Sequence, residues 1–275
     1  MIKVFNASIG TCFLAVIAVT FLSTSAQAAL VGLYQFNDAS NAGVANDSSQ
    51  NQNHGTVLGG AFYTASGGGV TGAAGDRAMV FGAGASRVTV AANMLSSITA
   101  NNQVTIAAWV FGQSQPQEDT LFSLNQSGAR QVLAHLPWSD SNVYFDTGGC
   151  CGANTRLSGS ALPASNFNGA WNHWAFVKDG NNKTIYLNGN VLLNQVGTAT
   201  TVIGAFNEAV IGAFLASGNS NDYSGLIDDF AIFDNALTQA QIRQAMNGHF
   251  IPEPATAALA LVSLGGLMLR RRRMA

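Results

Sequence analysis

The stretch "WAFVKDGNNKTIYLNGNVLL", residues 174–193, decides the fold class of this 275-residue chain. Trp174 and Phe176 alternate with smaller residues, which is the period of a half-buried β-strand. The polar "DGNN" that follows is a turn, and "KTIYL" repeats the strand pattern. Asn188-Gly189 is a strong signal for a two-residue hairpin, after which "NVLL" begins another strand. The stretch therefore predicts three consecutive antiparallel strands.

Short runs of the same kind occur along the chain, and nearly every gap between them holds Gly, Asn, Asp or Ser. One segment differs: "ALTQAQIRQAMNGH" (236–249) has helical spacing, with Thr238 as N-cap and Gly248 as stop signal. Many short strands without intervening helices predict an all-β fold, a two-sheet antiparallel β-sandwich of jelly-roll type. The strand-like runs outside the opening stretch are "LVGLYQF", "AMVFG", "SRVTV", "VTIAAWVF", "TLFSL", "VYFD", "AVIGAFL" and "LIDDFAIF".

Four segments in a fixed order resemble the LamG-like (concanavalin A-like) family of jelly-roll domains, and they cover residues 30–248. The resemblance implies a concanavalin A-like sandwich. The family's usual "DSSGNGNHG" reads "DSSQNQNHG" here, with Gln50 and Gln52 replacing glycines, which affects the geometry of that loop and not the fold. The segments are "LVGLYQFND…DSSQNQNHGTV" (30–57), "VTIAAWVF" (104–111), "NGAWNHWAFVKDGNNKTIYLNGNVL" (168–192) and "SGLIDDFAIFDNALTQAQIRQAM" (224–246).

The N-terminus has the features of a secretory signal peptide. Lys3 supplies a positive charge, "IGTCFLAVIAVTFL" is apolar, and Ala26 and Ala28 form an A-x-A cleavage pattern. A permanent N-terminal membrane anchor is the alternative. The sequence thus predicts a signal peptide at 1–28 and a LamG-like domain at 29–250, exported from the cytoplasm.

The C-terminus has the features of a membrane-targeting signal. Ala255–Leu269 is an uncharged, mostly apolar run that would span only ~22 Å as a helix, and Arg270–Arg273 follow it directly. A buried core helix is the alternative, but the arginines favour a cytoplasmic membrane face. Together with Pro252, Glu253 and Pro254, residues 251–275 resemble the PEP-CTERM sorting tail. That resemblance implies brief tethering in the inner membrane of a Gram-negative bacterium, processing by an exosortase-type enzyme, and delivery to the cell surface or extracellular matrix.

The charge of the predicted domain excludes one class of partner. The whole chain has a formal net charge of −2, but residues 29–250 hold seven basic and thirteen acidic residues and so carry −6. A nucleic-acid partner is not expected, because this domain has no basic stripe that would displace counterions from phosphates.

The predicted mature domain keeps two cysteines, Cys150 and Cys151, which are adjacent in "DTGGCCGANTR". In an oxidising compartment these predict a vicinal disulfide that rigidifies a Gly-rich loop. Metal binding is the weaker alternative, because two neighbouring thiols lack C-x-x-C spacing.

The stretch "HLPWSDSNVYFDTGGCCGANTR" (135–156) concentrates groups that bind sugars in proteins: aromatic faces, carboxylates and arginine. Such groups on loops over a rigid sandwich favour a ligand-binding site. The alternative is that Trp138 and Tyr144 are core aromatics or a cross-strand pair. The candidate ligand-binding residues are His135, Trp138, Tyr144, Asp146 and Arg156, with Asp140 beside them.

The LamG-like resemblance further implies a structural Ca²⁺ near the chain termini, held by oxygen ligands. The first loop offers Asp38, Asp47 and Asn53, and the last strand offers Asp228. Strand alternation places Asp228 and its neighbour on opposite faces, so only one of them is expected to join the site. The alternative for the loop residues is that they form Asx-turns.

Glycoside hydrolysis needs two carboxylates facing each other across the scissile bond. No strand carries an E-x-D-x-x-E pattern, and the domain's glutamates are only Glu118 and Glu208. The sequence therefore predicts a non-catalytic cell-surface or extracellular-matrix protein that binds glycan or a matrix protein. The alternatives are a polysaccharide-degrading enzyme on the same fold and a purely structural matrix component.

Overall fold

The computed structural model describes residues 29–38, 43–82, 84–159, 162–218 and 221–250. The predicted signal peptide at 1–28 and the sorting tail with Pro252, Glu253 and Pro254 lie outside these ranges. Among the residues described, none of the helices has the length and apolar character needed to cross a membrane.

The chain forms two antiparallel eight-stranded sheets that pack face to face, so the predicted all-β sandwich is confirmed. The helices are α1 Ser97–Asn101 and α2 Gln239–Met246, with 3₁₀ turns at Ala92–Leu95 and Ala164–Asn166. The strands are β1 Leu30–Tyr34, β2 Val44–Ala45, β3 Gly55–Leu58, β4 Phe62–Tyr63, β5 Met79–Phe81, β6 Arg87–Val90, β7 Gln103–Gly112, β8 Thr120–Gln126, β9 Ala129–His135, β10 Tyr144–Thr147, β11 Arg156–Ser158, β12 Asn172–Asp179, β13 Asn182–Leu187, β14 Asn190–Gln195, β15 Glu208–Ile211 and β16 Gly225–Phe233.

Sheet A contains the stretch that decided the fold. Its order is β14-β13-β12-β7-β16-β5-β4, and β1 also pairs with β16. The β12–β13 hairpin places Trp174 opposite Leu187. The tight turn to β14 uses Asn188 at φ 48° and Gly189 at φ 72°, the left-handed backbone that an Asn-Gly hairpin turn requires.

Sheet B has the order β11-β10-β9-β8-β15-β6-β3-β2. Four strands that are consecutive in sequence, β8 to β11, form one end of it through antiparallel pairing. Strand β9 was not predicted. Its pairing with β8 shifts register between Leu124 and Asn125, which breaks the simple alternation.

The main core lies between the sheets and includes Trp174, Phe176 and Phe145. A second cluster lies on the other face of sheet A, where Ile242 and Ala245 of α2 cover Ala175 and its neighbours. Thr238 caps α2 in a capping box with Gln241, as the sequence predicted for its N-cap. In the described residues, no helix or second apolar cluster covers the outer face of sheet B, and only the loop after β15 crosses it.

Candidate functional site

The candidate ligand-binding residues come together on the outer face of sheet B. Along β10 and β11, Phe145 and Leu157 point into the core between the sheets. Their neighbours Tyr144, Asp146 and Arg156 therefore face outwards, because strand side chains alternate. On β9, His135 lies directly opposite Tyr144, and Leu133 lies opposite Asp146.

One end of this face is aromatic. The rings of His135 and Trp138 are 4.5 Å apart between centroids and meet at 62°, and the ring of Tyr144 is 6.2 Å from His135 at 88°. Trp138 sits on a tight turn in which its N–H donates to the Asn142 carbonyl at 2.9 Å. Trp138 and Tyr144 are half-buried and do not belong to the core between the sheets. These two aromatic residues are therefore not core residues, which was one of the alternatives.

His135 forms the floor beneath these rings. It is 1 % exposed, and its Nδ1 lies 3.0 Å from the Asp119 carbonyl oxygen and 3.2 Å from Thr120 Oγ1. Burial lowers the pKa of His135 to about 4, although the bond to Asp119 acts in the opposite direction. The ring is therefore neutral at physiological pH, and it supports the aromatic side chains above it.

The other end of the face is ionic. Asp146 is fully buried and accepts from Nε and Nη2 of Arg156, each at 2.6 Å, and from Nη1 of Arg130 at 2.9 Å. The Arg156 guanidinium lies 4.4 Å from the centroid of the Tyr144 ring, and that of Arg130 lies 4.9 Å from the Phe214 ring. Each arginine is held by a carboxylate and an aromatic face, so both side chains are fixed before any ligand arrives.

We call His135, Trp138, Tyr144, Asp146, Arg156 and Arg130 together the outer-face site. Sequence reasoning missed Arg130, which lies on the unpredicted strand β9, and Phe214 from the loop after β15. That loop crosses the face because Ser123 donates to the carbonyls of Ala213 and Phe214. The alternation of Val132 and Ala134, which join the core, could have revealed the strand but not the face of Arg130, because the register shift lies between Arg130 and Val132.

The predicted disulfide loop forms the rim of the ionic end. Cys150 and Cys151 are joined by a disulfide between Cα atoms 3.8 Å apart, and both residues are exposed. Nη1 of Arg130 lies 3.5 Å from Cys150 Sγ, and Nη2 of Arg156 lies 3.9 Å from it. The loop closes through the Arg156 N–H, which donates to the Gly152 carbonyl at 2.8 Å. The disulfide thus lies directly against both guanidinium groups.

Two carboxylates lie near the aromatic end. Asp140 is exposed, and its Oδ2 accepts from the Tyr144 hydroxyl at 2.5 Å. Asp119 is 1 % exposed and accepts from the Ser224 N–H at 2.9 Å and from the Gln115 side chain. Burial raises the pKa of Asp119 to about 6. Although a raised pKa is common in catalytic acids, this carboxyl is enclosed by its own loop and holds that loop on the entry to β16.

The predicted calcium ligands of the first loop have protein partners. Oδ1 of Asp47 accepts from the Leu33 and Ser49 N–H groups, and Oδ2 accepts from the Asn53 N–H, each at 2.8 Å. The structure thus brings Asp47 and Asn53 together in a loop organised by the aspartate, as the Asx-turn alternative describes. Asp38 is exposed and accepts from the Asn46 side chain.

Asp228 lies in a different setting, and one expectation about it was wrong. Asp229 has φ 46°, and the pairing of β16 with β7 shifts register after Asp228, so this bulge breaks the alternation that was to separate the two side chains. The negative charge of Asp76 acts on both carboxyls. Burial, with the charges of Asp229 and Asp76, raises the pKa of Asp228 to about 7, and burial with Asp76 raises that of Asp229 to about 6.

A search for metal-binding geometry gave no candidate in the part of the chain that the structure describes. No group of three or more His, Cys, Asp or Glu side chains there is arranged to hold a metal ion. Asp228 is a predicted ligand with other carboxylates beside it, since the charges of Asp229 and Asp76 act on it.

Comparison with known proteins identifies the family. Residues 82–243 match the family model Laminin_G_3, described as the concanavalin A-like lectin/glucanases superfamily. The match covers more than half of the chain. The comparison with curated proteins gives no match.

Several solved structures share the fold at low sequence identity. Domain 4 of AbnA, a GH43 extracellular arabinanase from Geobacillus stearothermophilus, in complex with arabinotriose, has a TM-score of 0.59 and 22% identity, with 80% of this chain and 98% of that domain covered. Trypanosoma rangeli sialidase in complex with DANA has a TM-score of 0.56 and 14% identity, with 78% and 32% covered. The binding domain of Botulinum neurotoxin DC in complex with rat synaptotagmin II has a TM-score of 0.56 and 14% identity, with 81% and 52% covered.

Proposed function

The chain belongs to the concanavalin A-like lectin/glucanase superfamily, and from this we propose that its outer-face site binds glycan without cleaving it. The observation that carries the proposal is the grouping of Trp138 and Tyr144 with Arg130 and Arg156 on one open sheet face. Aromatic faces receive the apolar side of a sugar ring, and fixed arginines donate to its hydroxyl groups. The arabinotriose complex of the AbnA domain supports a sugar as the ligand class.

The absence of catalysis is part of the proposal, because enzymes share this fold. Asp146, the carboxylate at the centre of the site, is fully buried and occupied by two guanidinium groups, so it has no free oxygen for a substrate. The enclosed Asp119 cannot reach a scissile bond. Of the three described aspartates at the site, Asp140 is exposed whereas Asp119 and Asp146 are buried, so these three do not offer the accessible pair that hydrolysis needs.

We also propose where the protein acts. The predicted signal peptide and sorting tail favour export, passage through the inner membrane, and processing by an exosortase-type enzyme. The ligand is then a polysaccharide at the cell surface or in the extracellular matrix, and a matrix protein is the alternative partner. Detection of the chain in the extracellular fraction without residues 1–28 would support this route, whereas a chain retaining them in the cytoplasm would contradict it.

Calcium remains a proposal as a structural ion beside Asp228. What supports it is the pair of neighbouring acids, the buried Asp228 and the half-buried Asp229, with the charge of Asp76 acting on both. The Asp228 oxygens also accept from the Val70 and Asp229 N–H groups, at 2.8 and 2.7 Å, and a bound ion would have to share them. The Asp47 oxygens accept hydrogen bonds within their own loop, so we centre the proposal on Asp228. Bound calcium would neutralise the acids and stabilise the bulge in β16.

The test measures retention and cleavage in one assay. The purified full-length chain is incubated with the extracellular polysaccharide of its host, and bound protein and new reducing ends are both quantified. Retention without new reducing ends is the expected result. New reducing ends would overturn the non-catalytic proposal, and the absence of retention would overturn glycan binding in favour of a protein partner or a structural role.

A further inference from the structure

The ionic end of the outer-face site has an unbalanced positive charge. Arg130 and Arg156 share the single carboxylate of Asp146. A third basic side chain lies behind them, because Nζ of Lys183 donates to the carbonyls of Phe145 at 3.3 Å and Thr155 at 2.5 Å. Those two residues immediately precede Asp146 and Arg156 in the chain.

A fourth basic side chain lies beside Lys183. Lys178 lies directly opposite Lys183 across the β12–β13 pair, and its Nζ donates only to the carbonyls of Gly180 and Ala199 among the described residues. Four of the seven basic residues of the domain thus gather at one end of a sandwich whose net charge is −6. Asp140 and the enclosed Asp119 lie at the aromatic end; Asp140 is exposed and accepts from the Tyr144 hydroxyl, and its charge also acts on Arg156.

The two guanidinium groups are arranged to donate further hydrogen bonds. Among the described residues, Nη1 of Arg156 and both Nε and Nη2 of Arg130 have no hydrogen-bond acceptor, while the other nitrogens are held on Asp146. The side chains of Arg130 and Arg156 are 18% and 21% exposed, so a ligand can reach them in a partly desolvated setting. Planar donors of this kind match carboxylate and sulfate oxygens, and they bind anions more strongly when water is excluded.

We propose that this end of the site binds the acid group of an anionic sugar, either a uronate carboxylate or a sulfate ester. The sugar ring then lies towards Trp138 and Tyr144, and the negative acid group balances the positive charge that Asp146 leaves on the arginine pair. The inference rests on the proposed glycan binding and specifies its ligand class.

The experiment compares matched sugars by isothermal titration calorimetry with the purified full-length chain. The probes are a galacturonic acid trisaccharide, the neutral galactose trisaccharide of the same linkage, and a sulfated galactose trisaccharide. We expect an acidic sugar to bind at least about tenfold more tightly than the neutral one, in line with charge-assisted hydrogen bonds. Preference for the uronate or for the sulfate identifies which acid group the site takes.

Two variants locate the effect. In Arg130→Gln, the bidentate Arg156 still neutralises Asp146, so the fold is expected to hold. Binding of the acidic sugar should fall about tenfold, and binding of the neutral sugar, which loses only a hydroxyl contact, should fall clearly less. Arg243→Gln removes the same charge from α2 and is expected to leave all three affinities unchanged.

The results distinguish failure of the acidic-sugar inference from failure of the proposed function. Equal affinity for acidic and neutral sugars, or equal losses in both arginine variants, would overturn the acidic-sugar inference and leave glycan binding in place. Failure of all three sugars to bind, in a chain that is retained on host polysaccharide, would also overturn it. If that retention fails as well, the proposed function falls with it.

Discussion

Lys183 gives the structure a pH dependence that can be calculated before it is measured. The side chain is 1 % exposed, lies between the sheets, and contacts two carbonyls but no carboxylate. Burial, followed by repulsion from Lys178, lowers the pKa of Lys183 from its ordinary 10.5 to about 7. A shift of this size means that a proton on Lys183 destabilises the folded state relative to the unfolded state by on the order of 5 kcal/mol.

The sign follows from proton binding in the two states. Below pH 7 both the folded and the unfolded chain hold the proton on Lys183, and the folded state bears the whole cost. Between pH 7 and about 10.5 the folded state releases the proton first, so the free energy of unfolding rises with pH. From pH 6 to pH 9.5 the contribution of this one group grows by about 3 kcal/mol.

The perturbation is Lys183→Met, which keeps an unbranched apolar stem and removes the charge. Urea denaturation of residues 29–250, which contain every strand described, gives the free energy of unfolding of variant and wild type at both pH values. At pH 6 we expect the variant to have a higher free energy of unfolding than wild type. The difference should equal the cost of the protonated lysine minus about 1–2 kcal/mol for the lost hydrogen bonds. At pH 9.5 that relative gain should be smaller by about 3 kcal/mol.

The controls isolate the buried lysine. Lys178→Met should show the same trend over a narrower range, because burial lowers the pKa of Lys178 only to about 8. Arg243→Met removes an exposed cation and should show no such trend. A difference between Lys183→Met and wild type that stays constant from pH 6 to pH 9.5 would refute the reasoning, since it would mean that Lys183 is protonated in the folded state throughout.

Two further predictions concern stability. Thr238→Ala removes the capping box of α2 and should cost about 1 kcal/mol, or about 2–4 °C in Tm by thermal denaturation, while Thr238→Ser keeps the cap; equal Tm values would show that the box contributes nothing. Removing calcium with a chelator should lower Tm. The free energy of unfolding should fall by up to about 2.7 kcal/mol for an ion present at a hundredfold its Kd, and Asp228→Asn should abolish this response. A Tm indifferent to the chelator would contradict the calcium proposal.

The sequence predicts best where strong local signals agree with the tertiary packing. The Asn188-Gly189 hairpin and the Thr238 cap are set by backbone chemistry within a few residues, and both are found where predicted. The alternation of Trp174 and Phe176 with Ala175 and Val177 reports the two faces of the strand, but not the half-buried strand that was predicted. Trp174 and Phe176 enter the core between the sheets, and Ala175 and Val177 are buried in the cluster that α2 covers.

The prediction is weaker where a strand departs from regular geometry. The register shift in the β8–β9 pair hid β9 and with it Arg130, so the arginine pair could not be inferred. The bulge at Asp229 reversed the expected separation of two carboxylates. In both places one added residue in a strand changes which side chains meet, and composition does not reveal it.

The candidate site was partly visible because its residues cluster in sequence. Trp138, Tyr144, Asp146 and Arg156 come from one turn and two short strands, so spacing alone suggested that they meet. Whether they would form a core or an open face depended on the sheet to which their strands belong. That is set by contacts between distant segments, which local patterns do not encode.

The most direct test of the account compares two half-buried tryptophans in glycan binding. Trp138 lies in the outer-face site, whereas Trp171 packs against Phe111 of β7 in sheet A, with ring centroids 5.7 Å apart. The affinity of Trp138→Ala and Trp171→Ala for the host polysaccharide is measured beside wild type. The account predicts a loss of about tenfold for Trp138→Ala, from the lost aromatic platform, and none for Trp171→Ala. Unchanged binding by a folded Trp138→Ala variant would contradict the claim that the outer face of sheet B is the glycan site.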